Sequence, residues 1–155
     1  YNLVLKSQIA AIEKCVVGNQ YLDAHKAASE VLATGLVDLG IISCSAEEAL
    51  NNGELKKYFM HGTGHWIGLD VHDVGIYKPN GIPRKFESGM VITIEPGLYF
   101  GDWRPDLNDL DSKWAGIGIR IEDDILITEN GPDVLSSRCP KNIDELERII
   151  GSSFS

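Results

Sequence analysis

His61-Gly62-Thr63-Gly64-His65-Trp66-Ile67-Gly68-Leu69-Asp70-Val71-His72-Asp73 holds three of the chain's four histidines, with two aspartates and three glycines. Histidine is the common metal ligand and the side chain that exchanges protons near neutral pH. Glycine lets backbone approach a ligand closely. Packing alone does not account for such density, so the stretch reads as part of a site. His61 and His65 are four apart, but Gly62-Thr63-Gly64 between them disfavours a helix, which argues against the helical H-E-x-x-H zinc pattern. His65 and His72 are seven apart, an odd number that would point them to opposite faces of one regular strand. Either a bend near Gly68 realigns them, or only one is a direct ligand.

Upstream of this stretch the period is helical. Leu5, Ile9, Ile12 and Val16 predict an amphipathic helix over about Leu3 to Val17, ended by Gly18-Asn19. Ala24, Ala28, Val31, Gly35 and Leu39 predict a second, from about Asp23 to Leu39, whose small residues permit close approach to a sheet or another helix. His25 lies in it with no other chemical residue spaced to match, and reads as a surface or partly buried helix residue. Ser45 and Glu48 match a capping box for a short helix ending near Gly53.

Downstream the period becomes two. Met90 to Glu95 reads as a strand halted by Pro96-Gly97, and Gly118 to Glu122 and Asp124 to Thr128 as two more, with a turn at Asn130-Gly131-Pro132. Asp73 to Gly89 is a loop. Gly101 to Trp114, with Asp102, Asp106, Asp109 and Asp111, is a polar surface excursion without the spacing of a calcium loop. Ile143, Leu146 and Ile150 predict a terminal helix that docks on the body. Helices first, then strands with short turns, predict an α+β fold with an antiparallel sheet. Alternation sets Ile92, Ile94, Ile119 and Ile121 on one sheet face and Glu95, Arg120 and Glu122 on the other. Three histidines beside two strand carboxylates suggest mixed nitrogen and oxygen ligation, which suits manganese, cobalt, zinc or iron rather than a structural zinc cage.

Size and composition narrow the function classes. The 155 residues suit one domain, and 14 basic against 23 acidic residues give a formal charge of −9, which argues against nucleic acid or an anionic membrane as partner. No apolar run approaches the roughly 18 residues of a membrane span, and no charged-then-apolar leader opens the chain. Cys15, Cys44 and Cys139 lack C-x-x-C spacing and read as free thiols of a reducing, cytoplasmic compartment. The chain opens at Tyr1, mid-pattern, so a fragment is expected.

His61 to Asp73, Ile94-Glu95-Pro96-Gly97-Leu98-Tyr99 and Gly118-Ile119-Arg120-Ile121-Glu122-Asp123-Asp124 together resemble the pita-bread metallopeptidases, in the Xaa-Pro aminopeptidase and prolidase branch. Methionine aminopeptidases share the fold but carry Gln where Arg120 stands. Trp66 and the run Gly116 to Glu122 look most like the bacterial Xaa-Pro aminopeptidases. The resemblance covers nearly the whole chain. It implies His65, Glu95 and Glu122 as metal ligands, with Glu122 bridging two ions and Glu95 also shuttling a proton. It implies His61 and His72 as catalytic and substrate-binding residues, and Arg120 as the residue that orients the carboxylates. The implied cofactor is a pair of divalent ions roughly 3.5–4 Å apart, manganese first, with cobalt or zinc as alternatives. The implied substrate is a proline-containing peptide. Prolidase and a non-catalytic peptide-binding module are the alternative readings.

The chain departs from the family in one respect. Two family ligands are aspartates on strands before the first helix, and no aspartate precedes Asp23 here. The chain is therefore expected to be a single-domain fragment over residues 1–155, the second half of the pita-bread domain: helices on one face of a curved antiparallel sheet. With two of four carboxylates absent, close cations would repel with little compensation. At most one weakly bound metal, no hydrolysis by the isolated chain, and self-association through an uncovered sheet edge are expected.

Overall fold

A computed structural model describes residues 1–101 and 111–151. Two helices form the first layer: α1 over Asn2–Ile12 and α2 over Tyr21–Asp38. They touch closely where Gly35 leaves room for Leu3, since a Cβ at Gly35 would collide with the Leu3 side chain. The contact glycine thus serves a helix pair. The buried faces match those the apolar spacing picks only in part. α1 buries Val4, Ser7, Gln8 and Ala11, while Ile9 is 50% exposed. α2 buries Ala24, Ala28, Leu32 and Leu36, and Leu39 is exposed. The cause is polar: Ser7 donates to Ala28 O at 3.1 Å, and Gln8 reaches the strands, so both are satisfied inside. α1 also stops at Ile12, five residues before the expected end, and continues as turns to Gly18.

α3 over Ala46–Asn52 has the expected capping box: Glu48 N–H donates to Ser45 Oγ at 3.2 Å and Ser45 N–H to Glu48 Oε2 at 2.9 Å. Gly53 ends it at φ +86°, a left-handed conformation that favours glycine. A 3-10 turn over Glu54–Lys57 then buries Leu55 and delivers Tyr58 and Phe59 to the core.

Among the described residues five antiparallel strands follow: β1 Val91–Ile94, β2 Gly97–Phe100, β3 Ile117–Arg120, β4 Asp123–Thr128 and β5 Gly131–Val134. They pair as a three-stranded sheet β1-β4-β5 and a two-stranded sheet β2-β3. Ile92, Ile94, Ile125 and Ile127 are buried with Ala24, Ala28 and Phe86, and Leu98, Phe100 and Ile121 with Leu32 and Leu36. Each such side chain contributes about 1.5–3 kcal/mol of burial. Asp102, Asp106 and Asp109 of the expected polar excursion lie outside the described residues, whereas Asp111 is exposed and pairs with Lys113 at 2.9 Å.

The last helix, α4 over Ile143–Ile149, is capped by Asn142, whose side chain accepts from the Asp144 and Glu145 amides. None of its residues is buried, so its docking is shallower than the isoleucine spacing suggests. A buried ion pair anchors the segment before it. Asp123, 2% exposed, accepts from Lys141 Nζ at 2.8 Å, Ser136 Oγ at 2.6 Å and Gln8 Nε2 at 3.1 Å.

Candidate metal centre

Ile94 pairs with Asp123 and Gly97 with Arg120, so one register runs through both strand pairs. Continued across the gap, it sets Glu95 opposite Glu122 and Pro96 opposite Ile121. The ladder breaks there because Pro96 has no N–H to donate; the Ile121 amide still reaches Pro96 O at 3.3 Å. Two carboxylates therefore face each other across strands, a like-charge pairing that costs stability unless something neutralises it. Burial, then the Glu95 charge, then Asp124, holds the Glu122 carboxyl above the usual carboxylate range.

His65 reaches this pair because the histidine stretch lies along the free edge of β1. The Glu95 amide donates to Thr63 O at 2.6 Å, the Thr93 amide to His65 O at 2.9 Å, and Trp66 bridges to Ile92. The His65 amide in turn donates to Thr93 Oγ1 at 3.0 Å. His65 Nδ1 lies 3.0 Å from Trp66 O. A carbonyl can only accept, so this bond assigns the proton to Nδ1 and leaves the Nε2 lone pair free. Nε2 sits 3.4 Å from Glu95 Oε1. His65, Glu95 and Glu122 each present a ligand atom within 4.8 Å of the others, the grouping a metal ion would need. One imidazole and two carboxylates suit a borderline or hard divalent cation, and their two negative charges match one such ion.

His72 resolves the parity question. Asp73 folds the chain back: its carboxylate accepts from the Leu69 amide at 2.9 Å and the Val74 amide at 2.7 Å. A Cβ at Gly68 would overlap that carboxylate. The bend brings the His72 ring edge-on to His65, centroids 4.3 Å apart, yet His72 stays outside the ligand group. Of the two open alternatives, the bend near Gly68 is present.

His61 is held differently. Its Nδ1 donates to Gly62 O at 2.7 Å, and Nε2 accepts from the Tyr99 hydroxyl at 2.8 Å. Tyr99 accepts in turn from Arg120 Nε at 2.5 Å, and Arg120 Nη1 lies 3.4 Å from Glu95 Oε2. Burial pulls the His61 pKa down. Arg120 thus steadies Glu95, and Tyr99 links that carboxylate to His61. Sequence reading missed Tyr99, although residues 95, 97 and 99 share a face at a period of two. His25 was also undervalued. Its Nδ1 lies 2.8 Å from Thr63 Oγ1, between two residues singled out in the stretch.

The model of metallopeptidase family M24 matches residues 1–129. The Xaa-Pro aminopeptidase of Haemophilus influenzae is 42% identical over 150 residues, which cover 97% of this chain and 34% of that protein. The Xaa-Pro aminopeptidase of Escherichia coli is 39% identical over 97% of this chain and 33% of its own length. Among solved structures, aminopeptidase PepP of Pseudomonas aeruginosa superposes with a TM-score of 0.90 at 42% identity, over 96% of this chain and 33% of that one. The E. coli aminopeptidase P complex with the inhibitor Pro-Leu superposes at 0.87 and 40% identity, again over 96% and 33%. The chain spans about a third of the length of these relatives. The pita-bread expectation is met: the fold is the α+β arrangement of helices and antiparallel strands found in that portion of aminopeptidase P.

Proposed function

Because the chain belongs to metallopeptidase family M24, we propose that it supplies His65, Glu95 and Glu122 to the metal centre of an Xaa-Pro aminopeptidase. In a protein of the relatives' length, that centre would release an N-terminal residue preceding proline. The chain reads as one domain over residues 1–155, the second half of the pita-bread unit. The observation that carries the proposal is the cross-strand pair Glu95–Glu122 with the bare Nε2 of His65 beside it.

Divalent cations held there would polarise the scissile carbonyl and lower the pKa of water. Glu95, contacted by Arg120 and Thr93, would take the proton of the attacking water and pass it to the leaving amine. His72, beside His65 and exposed, would donate to the carbonyl oxygen as charge develops on it. His61 stands on the Tyr99 side of the site, where its ring would meet the substrate. Manganese is the first candidate ion, with cobalt or zinc next. Three ligands carrying two negative charges support one weakly held ion on this chain alone.

Two further readings belong here. Leu69, Val71, Val74, Ile76 and Ile82, all within residues 69–82, are exposed apolar side chains, which supports self-association. The three unbridged cysteines support a reducing, cytoplasmic setting. No helix among the described residues is long and apolar enough to cross a membrane.

The test is an assay of Xaa-Pro tripeptide and Xaa-Pro dipeptide cleavage with manganese. A longer protein containing this sequence is expected to cleave the tripeptide and to lose that activity with His65→Ala or Glu122→Gln. Cleavage of dipeptide alone would move the assignment to prolidase, and no cleavage of either would favour a binding module.

A further inference from the structure

The three ligand positions are gripped from behind by polar side chains of the helix layer. On α2, Tyr21 and His25 are four apart and so share a face. The Tyr21 hydroxyl donates to Gly64 O, and His25 Nδ1 bonds Thr63 Oγ1 at 2.8 Å. Residues 63 and 64 immediately precede His65, and Thr63 O accepts the Glu95 amide. On α1, Gln8 Nε2 lies 3.4 Å from Ile94 O and 3.1 Å from Asp123 Oδ2, the residues adjacent to Glu95 and Glu122. Gln8 is 1% exposed and Thr63 3%.

Buried hydrogen bonds of this kind fix backbone position more tightly than apolar contact does, because an unmade bond costs the full desolvation of its group. Aromatic packing stiffens the grip: Tyr21 lies 4.8 Å from Tyr77 and 5.3 Å from Trp66, and His25 lies 5.4 Å from Phe59, centroid to centroid.

We propose that Gln8 and His25 are positioning residues for the metal centre, His25 setting the approach of His65 and Gln8 the spacing of Glu95 and Glu122. Neither touches the ion. Each acts through intervening residues, His25 through Thr63 and Gly64, Gln8 through Ile94 and Asp123. The inference rests on reading His65, Glu95 and Glu122 as ligands.

The test uses Co2+ as probe, read by visible absorption and by titration calorimetry on the chain, with circular dichroism as the check on folding. His25→Ala and Thr63→Val, which remove opposite partners of one bond, are each expected to weaken Co2+ binding about tenfold. Both should alter the cobalt band in the same way. Gln8→Leu is expected to weaken binding similarly. His25→Asn, with an amide where Nδ1 stood, should restore most of the affinity. Binding and spectrum unchanged in folded variants, with only a lower melting temperature, would overturn the inference and leave the ligand assignment standing. No Co2+ binding by the unsubstituted chain would overturn both.

Discussion

Glu95 and Glu122 stand opposite each other where the hydrogen-bond ladder is interrupted, in the single register that joins β1-β4 to β2-β3. Like charges so placed destabilise a sheet by up to about 1 kcal/mol, and burial adds to the cost of ionising Glu122. In metal-free buffer, Glu122→Gln is therefore expected to raise the unfolding free energy by about 0.5 kcal/mol. Urea denaturation in the presence of a chelator measures it; a loss of stability would contradict the cross-strand repulsion.

Divalent cations should reverse that balance. An ion bound by the folded chain alone stabilises it by about 2.7 kcal/mol at a concentration one hundred times its dissociation constant. Melting temperature is expected to climb with added Mn2+ in the unsubstituted chain. It should stay flat in His65→Ala and Glu122→Gln, whose ligand group is incomplete. An equal rise in all three proteins would place the ion elsewhere.

The Asp123–Lys141 pair ties the start of β4 to the segment before α4. The Asp123 side chain is 1% exposed and that of Lys141 21%. Lys141→Met leaves the carboxylate with Ser136 and Gln8 only, and is expected to cost about 3 kcal/mol in equilibrium denaturation. A cost below about 1 kcal/mol would show that the two neutral donors suffice.

His25 makes stability depend on pH. Burial, with the neighbouring His61 and Lys56, holds its pKa below the usual 6.5. The unfolded chain then binds the proton more tightly than the folded one, so stability is full above about pH 6.5 and is lost as pH falls through the folded pKa. Glu122 has the opposite sign, since a raised carboxyl pKa contributes stability at low pH that is lost as pH rises. Comparison with His25→Asn cancels that shared background. The unfolding free energy of the unsubstituted chain should fall more steeply between pH 7 and 5.5 than that of the variant; parallel curves would show that His25 titrates normally.

The cysteines should separate by reactivity. Burial pushes the Cys15 thiol up to about 12, and its Sγ lies 3.4 Å from Ala11 O. Cys139 is exposed. Iodoacetamide at pH 8 is expected to label Cys139 first and to spare Cys15 until the chain is unfolded, as followed by peptide mass spectrometry. Early labelling of Cys15 would report local opening between α1 and α2.

Much of this chain is legible without coordinates. The Ser45–Glu48 box, the strand halted at Pro96 and the shared face of Glu95, Arg120 and Glu122 follow from local rules of capping, missing donors and a period of two. The helix faces were legible only in part. Leu5, Ile9 and Ile12 look like the inner stripe of α1, yet the fully buried residues are Val4, Ser7, Gln8 and Ala11. Apolar spacing cannot register a polar side chain that finds its partner inside.

The same limit divides the site. Residue type and alternation singled out the candidate groups, because both depend on neighbours a few positions away. Tertiary structure alone decided that His72 bends back beside His65 and that His25 grips Thr63. It alone decided that Gln8 reaches Asp123 across 115 positions. Such contacts depend on how helix and sheet layers meet, and the energy of a buried hydrogen bond resides in a pairing that neither residue's local sequence encodes.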